Sequence, residues 1–161
     1  MSRDNSPALT VGAPGAVQQA PVRAAASADA EDIVRMRSEY ILSEPLSEEW
    51  IRRCTAQLAP RLTAGGDARA FVIDAPDGSM AACALGLIHP VLPGPTYPKG
   101  LAARVHAVAT RQGFRRRGYA RAVVTALLEQ LHAEHVTLFE LHATRRPPRC
   151  TATWGTPAAR R

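Results

Sequence analysis

The sequence predicts an α/β domain in which helices flank a mixed β-sheet, and three observations carry that expectation. Phe71-Val72-Ile73 and Met80 to Ile88 read as strands joined by Ala75-Pro76-Asp77-Gly78, a strong turn signal, which makes an antiparallel hairpin. Between Met80 and Ile88 the strand is rich in small residues. Ala103 to Thr110 and Val136 to Ala143 also read as strands, with a helix between them. Strand, helix and strand in that order make a right-handed crossover between parallel strands. That helix is the clearest element: Ala120, Val123, Val124, Leu127, Leu128 and Leu131 recur at i, i+3, i+4, i+7, i+8 and i+11.

The other elements follow from shorter signals. Val22 to Ala25 reads as a first strand. Asp29, Glu31 and Asp32 then place acids where a helix starts, and Ile33, Met36, Tyr40 and Ile41 give it one buried face. Ser47 opens a second helix with Glu48 and Glu49 in its first turn, and Trp50, Ile51, Cys54 and Leu58 form its apolar stripe. Pro60 and Gly65-Gly66 break that pattern. Pro90, Pro93, Gly94, Pro95, Pro98 and Gly100 mark a loop without regular structure. There is no internal repeat.

Composition narrows the classes. A chain of 161 residues, 46% of them hydrophobic, suits one domain with a real core. No run of about 18 apolar residues exists, which argues against a membrane span. Residues 1–20 are rich in Ala, Pro, Gly, Ser and Gln and lack a basic region leading into an apolar one. They read as a disordered extension rather than a secretory signal, which places the protein in the cytoplasm. Cys54, Cys83 and Cys150 show neither paired nor metal-type spacing, and Cys54 and Cys83 lie among apolar residues as buried thiols. His132 and His135 have no carboxylate or cysteine cluster beside them, so no metal is assigned. The net charge is +6, but Arg145, Arg146, Arg149, Arg160 and Arg161 supply five of those charges in a tail without acids. A nucleic-acid binder spreads basic charge over a folded face, so the charge argues only weakly for one.

Chemistry concentrates in the stretch Val108 to Ala120. It reads as a strand end, a basic loop containing Gly113-Phe114-Arg115-Arg116-Arg117-Gly118, and a helix that starts at once. Such a join aims backbone N–H groups from about Arg116 to Ala120 at one spot, where the helix dipole favours an anion. Gly118 lets a phosphate approach the backbone, and Ala120 keeps the helix start open. Arg115, Arg116 or Arg117 adds charge-assisted bonds. The bland alternative is a solvated arginine run at a strand–helix turn. Neither the Gly-x-Gly-x-x-Gly dinucleotide signature nor the Gly-Lys-Ser/Thr phosphate loop is present.

Arg115-x-x-Gly118-x-Ala120 on this join resembles the acetyl-coenzyme A loop of GNAT-type N-acetyltransferases. The likeness extends to Val22-Arg23-Ala24-Ala25 with Asp29 to Ile33 as the opening strand and helix. Val108-Ala109-Thr110 is similar to the splayed fourth strand, and Leu141-His142-Ala143-Thr144 to the end of the fifth. It covers roughly residues 21–144. The resemblance implies an acyl-CoA N-acyltransferase fold with acetyl-CoA bound by Val108, Ala109, Thr110, Arg115, Arg116, Arg117, Gly118, Tyr119 and Ala120. It also implies direct attack of an amine, of a small molecule or a protein, on the thioester. Arg104 stands roughly where the family often has a basic carboxylate. His106, two residues on and facing the same side, is a candidate base, with a structural histidine as the other reading. The Val108 or Ala109 N–H could polarise the thioester carbonyl.

The ending departs from the family, which continues with a helix of pattern Leu-Tyr…Leu-Gly-Phe/Tyr and two more strands, the tyrosine serving as general acid. Residues 145–157 read Arg-Arg-Pro-Pro-Arg-Cys-Thr-Ala-Thr-Trp-Gly-Thr-Pro instead. Adjacent prolines bar an ordinary helix, and the lack of aliphatic residues makes 145–161 read as a disordered Pro/Arg-rich tail. Nineteen arginines against one lysine point to GC-rich codons. One such back-translation, read from each codon's third base, gives T-A-A-A-L-Y-R-D-L-G-Y-A. Its Gly is forced by Trp154-Gly155. The expectation is a frameshift near residue 145, leaving residues 21–144 as an incomplete domain that lacks the last helix and strands. Ordinary divergence or a truncation is the competing account. A coenzyme A-binding remnant with impaired catalysis, or a basic nucleic-acid module, are the alternatives to an active enzyme.

Overall fold

A computed structural model of the chain describes residues 20–141. The expectations for an N-terminal extension, for His142 to Thr144 and for the Pro/Arg-rich tail lie outside the described residues. Within them the elements run β1 (Val22–Ala24), α1 (Ala30–Tyr40), α2 (Glu48–Leu58), β2 (Ala68–Asp74), β3 (Met80–Pro90), β4 (Leu101–Thr110), α3 (Tyr119–Ala133) and β5 (Leu138–Leu141). The sheet order is β1-β2-β3-β4-β5. The first three pairings are antiparallel and β4 pairs β5 in parallel, as a helical crossover requires.

Two apolar layers cover the two faces. Ile33, Val34 and Met36 of α1 and Ile51 and Leu58 of α2 cluster with Val72, Cys83, Leu85, Ala107 and Ala109. Val123, Leu127 and Leu131 of α3 cluster with Ile73, Ala82, Ala84, Ala103 and Val105. The small residues of β3 now have a cause: this central strand is covered on both sides. A β-carbon built on Gly86 would lie 3.5 Å from Leu127 and 3.6 Å from Leu131, so α3 rides close over the strand.

The structure shifts several expected boundaries. β2 and β4 are longer than read, and β3 runs on to Pro90, which pairs Leu101 at the strand's end, where a missing N–H costs little. β5 begins only at Leu138, although Val136 is buried. Ser47 caps α2 as expected, its hydroxyl accepting the Trp50 N–H. Trp50 is not core: it is 53% exposed, with the Arg53 guanidinium 5.0 Å over its ring. Cys83 is buried but Cys54 only half so. Ala120, expected in the α3 stripe, is exposed, because it lies at the helix start beyond the sheet's cover.

Asp29 does not cap α1 with its side chain. Its carboxylate accepts the Ala26 N–H at 2.7 Å and two bonds from Arg23, whose guanidinium also bonds Asp74. The network ties β1 to the start of α1 and to β2. Arg23, and next the Ala26 N–H against some burial, hold the Asp29 carboxyl below its ordinary range. A folded-state pKa below the unfolded one stabilises the fold above the unfolded value, and that gain disappears as pH falls through the folded one. We expect Asp29→Asn to cost about 1–2 kcal/mol at pH 7 in urea unfolding. The difference from the parent should close in strong acid, where both side chains are neutral. A gap that persists there would assign the loss to packing instead.

Candidate functional site

The site is built on a defect in β4. Leu85 pairs Ala107 and the next residue of β3, Gly86, pairs Val105, so His106 is an extra residue: a β-bulge. Its effect is visible in the core. Ala103 and Val105 lie under α3, whereas Ala107 and Ala109 lie under α1 and α2. Strict alternation would put all four on one face, and one inserted residue reverses the phase. The last β4–β5 pair among the described residues is Val105 with Leu141, just before the bulge. Among the described residues, β4 from His106 to Thr110 is paired on one edge only, and Val108 is 37% exposed.

The chain leaves β4 through a tight loop. Arg111 donates its backbone N–H to Ala81 and its guanidinium to Ser79, and Phe114 donates its N–H back to Arg111. Arg116 adopts φ +62° and Gly118 φ +78°, both left-handed. Such a conformation suits glycine and costs another residue on the order of 1 kcal/mol. Gly118 caps α3; the first bond of that end runs from the Ala122 N–H to the Gly118 carbonyl, and no side chain caps the helix. The N–H groups of the first turn therefore face out of the helix end. A β-carbon on Gly118 would meet no protein atom within 4 Å.

A cleft of about 340 Å³ opens where the C-terminal end of β4 meets this helix start. Of the sequence-predicted residues, Val108, Ala109, Thr110, Arg115, Arg116, Gly118, Tyr119 and Ala120 line it. Arg117 instead lays its guanidinium 5.2 Å over the Phe114 ring, which stacks on Tyr119 at 6.2 Å. The Thr110 hydroxyl is buried without a hydrogen-bond partner among the described residues. Sequence reasoning missed Tyr40. Read as core, it ends α1 with its ring at the cleft and Arg115 stacked 5.7 Å over it. Burial, and next the neighbouring Glu39, raise its phenol above the ordinary range. Its place at the C-terminal end of the helical stripe is a signal that could have exposed it.

His106 lies elsewhere. It lines a second cleft of about 300 Å³ with Arg61, Asp67, Leu87, Ile88, His89, Pro90 and Arg104, none of which lines the first. Arg104 faces its registered β5 partner Glu140 and bonds it at 2.9 Å; His89 Nε2 lies 3.5 Å from the other carboxylate oxygen. The Arg104 guanidinium holds the Glu140 carboxyl below its ordinary range, which makes it a poor base. Cys83 is no nucleophile at neutral pH, since burial pushes its thiol up to about 12.

A strand splayed by a bulge, beside a glycine-capped helix, defines the class: an acyl-CoA N-acyltransferase fold. Residues 33–148 match the model of the acetyltransferase (GNAT) family, and the chain belongs to that family. Solved structures share the fold. A predicted acetyltransferase of Clostridium acetobutylicum, solved with acetyl-CoA, superposes with a TM-score of 0.68 at 17% identity, over 79% of this chain and 82% of that one. A GCN5-related N-acetyltransferase of Ralstonia eutropha gives 0.64 at 18% identity, over 87% and 99%. Glucosamine-6-phosphate N-acetyltransferase of Arabidopsis thaliana gives 0.59 at 14%, over 86% and 100%. No curated protein matches the sequence. Among the described residues, no helix is long and apolar enough to cross a membrane.

Proposed function

We propose that this acetyltransferase moves an acetyl group from acetyl-CoA to a primary amine by direct attack, with residues 21–144 as its domain. The observation that carries the reading is the meeting, in one cleft, of the C-terminal end of β4 with an α3 start that is capped by Gly118 and by no side chain. The outward N–H groups at Gly118 to Ala120 suit the pyrophosphate, with Arg115 and Arg116 at its margin. The edge of Val108, Ala109 and Thr110, unpaired on one side among the described residues, suits the amide-rich pantetheine arm. Arg117, turned onto Phe114, is at most an outer contact.

The amine nitrogen bonds the thioester carbonyl carbon, the carbon–sulfur bond breaks, the nitrogen loses a proton and the sulfur gains one. The Val108 or Ala109 N–H would polarise the carbonyl. His106, in the neighbouring cleft, is the candidate acceptor of the amine's proton, directly or through water. Calorimetric titration with acetyl-CoA should give saturable one-to-one binding, and mass spectrometry should find acetylated amine. Binding without any acetylated product would make the chain a coenzyme A-binding remnant; absence of binding would defeat both readings.

A further inference from the structure

We propose that the second cleft takes a small primary amine that also carries a carboxylate or phosphate, and that Arg104 and Arg61 hold that anionic group. The assignment rests on the acetyl-transfer reading. The cleft's volume of about 300 Å³ suits a small molecule. Its charged lining decides the chemistry. Both Asp67 oxygens accept bonds from Arg61, at 2.7 and 2.8 Å. One Glu140 oxygen accepts two bonds from Arg104, and the other faces His89. Each guanidinium spends Nε and Nη2 on its carboxylate, and a guanidinium has five N–H donors.

A polyamine entering here would have to break an arginine–carboxylate pair to find a counter-charge. An anion can add to the arginines without breaking one. Position agrees with this: Arg61 and Arg104 are 39% and 44% exposed. His106 lies in the same cleft, and Val108, about 6–7 Å further along the strand, lines the first one. An anion at the arginines therefore leaves the amine pointing along β4 toward the thioester.

The test is titration of the full chain loaded with coenzyme A, using matched amines: phosphoethanolamine against ethanolamine, serine against serine methyl ester, and spermidine. At least one member carrying a phosphate or carboxylate should bind ten-fold or more tightly than its counterpart lacking that group, and the two pairs tell phosphate from carboxylate. Arg104→Gln and Arg61→Gln should each shrink that ratio several-fold, with acetyl-CoA titration verifying that each variant is folded. Equal binding of spermidine or the counterparts without the anionic group, a preference that survives both substitutions, or no binding by any of the five would overturn the acceptor assignment alone. A parent chain that binds no acetyl-CoA would overturn the transfer reading and this assignment with it.

Discussion

Replacing Gly118 by valine should weaken acetyl-CoA binding at least a hundred-fold, about 2.7 kcal/mol or more. Two independent costs add. At φ +78° a β-branched side chain is strained, which tilts the loop away from its cap geometry. The new side chain also fills the open space in front of the helix start, which is where we place the phosphates. Because no protein atom lies within 4 Å of that β-carbon, the fold itself should lose only on the order of 1–2 kcal/mol. Gly118→Ala should fall between valine and the parent. Gly113 supplies the control: it sits in the same loop without a positive φ and with open space around it. Gly113→Ala should leave both affinity and melting temperature nearly unchanged. Calorimetry and circular dichroism on the three variants decide the matter. Parent-like affinity in Gly118→Val would mean that the phosphates do not sit at this helix end.

What the sequence revealed depended on how local its signals were. The α3 stripe is read from residues within one helix, and Val123, Leu127 and Leu131 are fully buried. The basic loop is equally local, and its expected residues do gather on one cleft, apart from Arg117. The bulge at His106 was not legible, because a bulge is a relation between two strands and exists only once β3 and β4 are in register. For the same reason Glu140 went unread: its partner Arg104 lies 36 residues away. His106 could be chosen as a titratable group near the loop, but only the register shows that it belongs to a second cleft. Trp50 was misplaced by the assumption that every large apolar residue on a stripe is buried. Tyr40 does pack on the core, but its ring also lines the cleft, which a stripe alone does not show.

If residues 145–161 come from a shifted frame, as we propose, restoring the frame should produce the larger gain, in stability and in turnover together. Residues 145–161 contain no Leu, Ile, Val, Phe or Met, so this segment has no aliphatic stripe to lay on a neighbour. One GC-rich back-translation of the alternative frame, with T-ending codons for Cys150 and Gly155, reads T-A-A-A-L-Y-R-D-L-G-Y-A, which supplies two leucines and two tyrosines in the pattern the family resemblance implies. Leu141, at the end of β5, is 74% exposed, an apolar surface that a following helix could cover. The Pro147-Pro148 pair of the present frame opposes a helix there, and alanines replace it in the other. Added burial of a few large side chains is worth several kcal/mol and should raise the melting temperature by on the order of 10 °C. If the recovered tyrosine protonates the leaving thiolate, as the family resemblance implies, acetyl transfer should rise by about 10²–10⁴-fold. Acetyl-CoA affinity should change far less, since residues upstream of that segment already line the first cleft. Changing that tyrosine to phenylalanine in the restored chain should keep the added stability and lose the added rate. Three results would count against the frameshift: codons incompatible with the second frame, a restored chain no more stable than the present one, or ordinary turnover by the chain as it stands.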